Sequence, residues 1–166
     1  MSLIVLTGAS GSGKTAIAKA IAARFAGEID VHHFDDIGVP PLFQMTAEYG
    51  SPAGWQRAMT FKWLESLAEA QRAGRNQLLE GQMRLAFLEE AAAAAGIAYL
   101  PLLADCDDET RTHRLAIERR QPELANAEMM IWASFLRREA VAKKCAILDT
   151  SRLLLDESVR AVVERF

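Results

Sequence analysis

Gly8-Ala9-Ser10-Gly11-Ser12-Gly13-Lys14-Thr15 satisfies the phosphate-binding loop pattern G-x-x-x-x-G-K-[ST] at every fixed position. Such a loop needs a strand before it and a helix after it, because it must deliver backbone N–H groups and a helix N-terminus to a polyphosphate. Both flanks are present. Residues 2–6 form a short apolar, β-branched run of the kind that makes a buried parallel strand. After the loop, Ile17, Ile21 and Phe25 recur at steps of four among alanines, which predicts a helix with one apolar stripe, stopped at Gly27.

Each residue type in this run has a physical job. Gly8, Gly11 and Gly13 permit the close backbone approach and unusual dihedrals of an anion-cupping nest, which a Cβ would obstruct. Ser10 and Ser12 belong to the same nucleotide-binding run. Lys14 is expected to place a point charge on the β- and γ-phosphates, and the Thr15 hydroxyl to ligate Mg²⁺. A Gly/Ser turn opening an ordinary helix is the plain alternative, and it leaves the agreement of motif and flanks unexplained.

At 166 residues the chain is expected to be one domain with one core. Its net charge of -3 offers no electrostatic footprint for nucleic acid or an anionic membrane. Met1 leads straight into the first strand and no apolar run reaches about 18 residues, so no membrane partner and a cytoplasmic location are expected. Cys106 and Cys145 lack metal-ligand spacing and read as buried free thiols. Monomer and homodimer both remain open.

Along the chain, residues 29–34 read as a second strand, expected to end beside the phosphate loop and followed by Asp35-Asp36. A long irregular piece rich in proline and glycine, from Ile37 to Gly54, reads as part of a substrate-side segment of about residues 37–74. Ser51-Pro52 has the form of an N-cap with proline at the first helical position. The helix that follows carries Trp55, Met59, Trp63 and Leu67 on one stripe, which reads as core rather than pocket lining. A third strand spans 76–81 and a helix Arg84–Ala95 ends at Gly96. A fourth strand covers 97–104, with Pro101 marking a missing ladder donor. Asp107 or Asp108 caps the next helix. Further helix over Glu128–Lys143, a fifth strand at 145–148 and a closing helix complete the chain. This alternation predicts an α/β fold: a doubly wound, five-stranded parallel sheet with helices on both faces and ligands at the C-terminal strand ends.

Acids fall at those ends. Asp35 and Asp36 follow the second strand, Glu80 closes the third and Asp149 the fifth. A carboxylate there can position Mg²⁺ or accept a proton from an attacking hydroxyl, although Asp also caps turns. Asp149-Thr150-Ser151 either caps the following helix or turns its backbone toward the nucleotide base. Arg111, Arg114, Arg119 and Arg120 precede the break at Gln121-Pro122. Such a run is either a solvated helix face or a mobile lid, about 111–127, that neutralises phosphoryl charge. Arg119 and Arg120 are the candidates for phosphate contact, Arg114 for nucleotide binding, and Arg111 reads as an outer-face residue. His32, His33 and His113 are not spaced as a metal set.

Nearly the whole chain resembles the small P-loop kinases of the adenylate, shikimate and gluconate kinase group. Glu80-Gly81-Gln82-Met83-Arg84 is similar to the acidic-Gly-x-x-Arg segment at which adenylate kinases bind their acceptor, and Asp35-Asp36 resembles the acidic pair of shikimate-type kinases. Gln82-Met83 and the spacing of Arg114 and Arg119 depart from the adenylate pattern. The resemblance implies ATP-dependent phosphoryl transfer, with Mg²⁺, to a hydroxyl or phosphate of a small metabolite. On that expectation Lys14, Asp35, Arg119 and Arg120 are catalytic, Thr15 with Asp36 or Glu80 holds the metal, and Asp35, Gln82 and Arg84 face the acceptor. The rival reading is a regulatory ATPase or nucleotide-binding switch without an acceptor.

Overall fold

The computed structural model describes residues 2–166. Its strands are β1 (Leu3–Thr7), β2 (Ile29–His33), β3 (Asn76–Gly81), β4 (Leu100–Asp105) and β5 (Ala146–Asp149). They form one parallel sheet in the order β2-β3-β1-β4-β5. The helices are α1 (Lys14–Arg24), α2 (Leu42–Tyr49), α3 (Pro52–Arg72), α4 (Leu85–Ala95), α5 (Asp108–His113), α6 (Ala127–Ala142) and α7 (Leu155–Val163).

The central strand explains the two layers. Successive side chains of a strand point to opposite faces, and every residue of β1 is buried, so each face needs its own cover. Leu3 and Val5 join a core with Leu79 and Leu103 under α3, α4 and α6, while Ile4 and Leu6 join Leu78 and Leu102 under α1 and α7. The sheet is therefore doubly wound, as the alternation predicts. Trp55, Met59 and Leu67 are core, and Trp63 packs beside them with its indole N–H donated to the Phe34 carbonyl at 3.1 Å.

Local signals set the helix starts. Ser51 Oγ accepts from the Gly54 N–H at 3.0 Å with Pro52 at the first turn. Asp107, rather than Asp108, caps α5 by accepting from the Thr110 N–H at 2.7 Å. Both cysteines are buried and free.

Three expectations change. The piece 37–54 is not irregular throughout: α2 forms between Pro41, whose φ of -61° suits an N-cap, and Gly50, left-handed at φ 77°. Met45 alone of its residues is buried, so no apolar stripe announces it. The fourth strand begins at Leu100, and β5 pairs only from Leu102 onward, so at Pro101 the strand has a ladder neighbour on one side. Finally, β2 does not end beside the phosphate loop. It lies at the sheet edge, and β3 fills the place next to β1. Register then sets Leu6 against Glu80 and Thr7 against Gly81, so the loop and the acidic end of β3 emerge side by side.

Candidate active site

The loop leaves β1 at Thr7 and enters α1 at Lys14. Gly11 and Gly13 are left-handed, at φ 79° and 85°, and a Cβ on Gly8 would stand 2.3 Å from the Ala104 carbonyl oxygen. Backbone geometry thus requires glycine at all three positions. Three consecutive loop carbonyls are held from the outside. Ser10 O accepts from Arg111 Nη1 at 2.7 Å, Gly11 O from Arg114 Nη1 at 3.2 Å, and Ser12 O lies 2.8 Å from the Thr150 hydroxyl. The Ser12 hydroxyl is buried with no hydrogen-bond partner, an orphan polar group inside the nest. Gly11, Gly13, Lys14, Thr15, Arg114, Arg119 and Thr150, with Leu153 and Leu155, line a cleft of about 510 Å³. Its size and mixed lining suit a nucleotide.

Lys14 is only 8% exposed, and burial lowers its pKa below the ordinary lysine value, against the opposing pull of Glu80 and Asp35. Among the described residues the buried ammonium makes no ion pair, an arrangement that favours a bound anion. Thr15 Oγ1 donates to Glu80 Oε2 at 3.2 Å, and His33 Nδ1 lies 2.6 Å from Glu80 Oε1. Two of the expected metal residues, Thr15 and Glu80, therefore meet, and a hydroxyl beside a carboxylate is the oxygen donor set a hard cation takes. No group of three His, Cys, Asp or Glu that could hold a metal occurs among the described residues, so most ligands of such an ion would come from phosphate and water.

Asp35 and Asp36 sit in a 3₁₀ turn, Phe34–Ile37, and both are exposed. Asp35 acts electrostatically on Lys14, whereas Asp36 acts on His32. The two adjacent carboxylates thus act on different groups, Asp35 on the loop lysine and Asp36 on a histidine of β2. The turn is fixed by close approach, since a Cβ on Gly81 would stand 2.4 Å from Phe34 Cβ.

Thr7 holds the segment after β3, donating to Met83 O at 2.6 Å and accepting from the Met83 N–H at 3.0 Å. Gln82 is consequently fixed. Its Nε2 donates to Ser10 Oγ at 3.3 Å, and its Oε1 accepts from Trp132 Nε1 at 3.0 Å. The Arg84 guanidinium lies 5.0 to 5.5 Å from the ring centres of Phe87, Trp132 and Phe135. Glu139 of α6 accepts from the Leu85 and Ala86 N–H groups, capping the α4 helix directly after Arg84. Trp132, Phe135 and Glu139 carried no local signal, because their partners lie far away in the chain.

The arginine segment departs most from expectation. Arg111 is not on the outer face: its side chain is fully buried, bonded to Ser10 O, Asp105 Oδ1 and Cys106 O. Burying a guanidinium costs several kcal/mol unless it is paired, and Asp105 supplies the pairing. Arg114 donates to Thr150 Oγ1 and Thr150 O as well as to the loop. The start of the expected lid is thus anchored through Arg111 and Arg114, and residues 117–120 are exposed throughout. Residues Arg114–Glu118 form a π turn, in which the Arg119 N–H donates to Arg114 O at 2.9 Å. Residues five apart stack in such a turn, so Arg119 returns to the cleft lining beside Arg114. Arg120 is exposed at a left-handed φ of 54° and does not line the cleft.

No family model and no curated protein matches the sequence. Solved structures match at the level of fold. Shikimate kinase from Acinetobacter baumannii in complex with shikimate superposes with a TM-score of 0.64 at 14% identity, over 99% of this chain and 92% of that one. The tunicamycin resistance protein of Deinococcus radiodurans gives 0.69 at 17% identity over 99% and 94%. A gluconokinase from Sinorhizobium meliloti 1021 gives 0.61 at 18% identity over 96% and 87%. With its loop, sheet order and helical layers, the chain has the fold of the small P-loop kinases.

Proposed function

We propose that this protein transfers the γ-phosphoryl group of ATP to a hydroxyl or phosphate group of a small metabolite, with Mg²⁺ as the metal. The observation that carries the reading is the meeting of Thr15 and Glu80 at the mouth of a glycine nest with a buried Lys14. ATP fits the cleft, and Mg²⁺ fits the oxygen pair; bound there, the ion would neutralise charge on the β- and γ-phosphates. The kinases that share the fold carry small-metabolite names, shikimate and gluconate among them, which supports an acceptor of that class.

The chain's own residues then divide the work. The nest would bind the polyphosphate, with the Lys14 ammonium supplying charge to its β- and γ-phosphates. Thr15 and Glu80 would hold the metal. Asp35, exposed and acting electrostatically on Lys14, accepts the proton of the attacking hydroxyl. Gln82 and Arg84 face the acceptor from the end of β3, Gln82 tied to Ser10 and Arg84 framed by rings. Arg119 closes over the transferring group from the π turn, and the exposed portion of the segment ending near 127 serves as lid, with 37–74 as the substrate side.

The test is ADP formation from ATP and Mg²⁺ against a panel of hydroxylated and phosphorylated metabolites. The expected result is turnover that depends on one class of acceptor. Acceptor-independent ADP formation would support the regulatory ATPase instead, and no ADP formation with retained ATP binding would indicate a binding protein.

A further inference from the structure

We infer that Arg111 is a positioning residue for the phosphate loop, an inference that rests on the nucleotide-binding reading of that loop. In a trans peptide the C=O and the following N–H point in opposite directions. A donor that draws the Ser10 carbonyl outward therefore turns the Gly11 N–H inward, toward the phosphate bed. Arg111 is that donor: Nη1 bonds Ser10 O at 2.7 Å, while Nη2 bonds Asp105 Oδ1 at 2.7 Å and Cys106 O at 3.2 Å. The guanidinium thus ties the loop to the end of β4. Its stem also forms the floor of the loop, because a Cβ placed on Gly11 would meet Arg111 Cγ at 3.0 Å and Leu115 Cγ at 3.1 Å.

The fixture is braced from a second direction. Asp105 Oδ2 accepts from Arg137 Nε of α6, so one buried carboxylate holds two guanidinium groups. Arg111 never reaches a bound phosphate, since the loop backbone lies between. Its effect is to preorganise donors and to add a cation behind them, which lowers the ordering cost of binding.

Pyrophosphate and ADP binding by calorimetry, with thermal unfolding of the same samples, tests this in the full-length chain. Arg111→Gln keeps an amide NH₂ donor but loses the charge and the bridge; Arg111→Lys keeps the charge but not the fork. Wild type should bind both ligands. Arg111→Gln should weaken both by about tenfold or more, as expected for loss of a charge-assisted contact, and Arg111→Lys should recover part of the loss. Measurements at a temperature where each variant is fully folded separate this from stability. Wild-type affinity in the folded variants overturns the inference and leaves Arg111 a purely structural residue. If neither variant folds, Asp105→Asn, which loosens the guanidinium without removing it, is read in the same way. Failure of wild type to bind either ligand would instead strike at the nucleotide site itself.

Discussion

Thr15, in the first turn of α1, donates its hydroxyl to Glu80 at the end of β3, 3.2 Å away across 65 residues of sequence. The contact exists because β3 is the direct neighbour of β1, with Thr7 opposite Gly81. If Glu80 holds Mg²⁺, then Glu80→Gln, which keeps an acceptor for Thr15 but removes the charge, should raise the Mg²⁺ concentration for half-maximal activity by about 10–100-fold. Metal-free ADP binding should be unchanged. A Mg²⁺ titration identical to wild type would remove Glu80 from the metal site.

Lys14→Met should lower turnover by at least about 10²–10³-fold, the scale for a lost preorganised charge. It should also leave the melting temperature unchanged or raise it, because burial of the ammonium opposes folding. The sign follows from its lowered pKa. At pH values below the folded pKa both states are protonated and the native state carries the full burial cost. That cost fades as pH rises through the folded pKa toward the ordinary value of 10.5. Any gain in the variant should thus be largest near neutral pH and shrink in alkali. A clear drop in melting temperature at pH 7 would show that Lys14 has a structural partner.

Much of this site could be read locally, and the exceptions share a cause. The motif, the strand before it and the acid at the end of β3 are each visible within a few residues. Arg111 was not, since an arginine in a charged helical run reads as solvated until Ser10 O and Asp105 are known to sit against it. His33 reads as a strand residue until β2 pairs with β3 and sets it against Glu80. The π turn likewise has no sequence signature, yet it decides that Arg119 and not Arg120 reaches the cleft. Helix α2 escaped because its exposed Leu42 and Phe43 blur any amphipathic pattern.

The two adjacent aspartates should behave differently. Asp35→Asn is expected to reduce the rate at saturating substrates by about 10²–10⁴-fold with little change in ATP affinity. Asp36→Asn, whose carboxylate acts on His32 rather than on Lys14, should stay within a few-fold of wild type. Steady-state rates at saturating ATP and acceptor decide between them. The reverse ranking would mean that the turn reorients on binding and that Asp36 supplies the base.

The arginines at the two ends of the site should separate kinetically. Arg84 is held at 5.0 Å from the Phe135 ring centre and at 5.5 Å from that of Trp132, which stack with an interplanar angle of 10°, so its planar fork is framed before any acceptor arrives. Arg84→Ala should raise the acceptor KM, with roughly 1.5–3 kcal/mol lost for a charge-assisted contact, and leave ATP binding alone. Arg119 follows a π turn in an exposed segment, so its contacts should form mainly in the transition state. Arg119→Ala should therefore depress kcat with both KM values little changed. Arg120→Gly offers the internal control. Its left-handed backbone suits glycine, so the substitution should add up to about 1 kcal/mol of stability while kcat stays near wild type. A fall in kcat for Arg120→Gly as deep as that for Arg119→Ala would show that the lid closes with a different register. Equal, wild-type kinetics for both Arg84→Ala and Arg119→Ala would leave the cleft as a nucleotide site without the acceptor chemistry proposed for it.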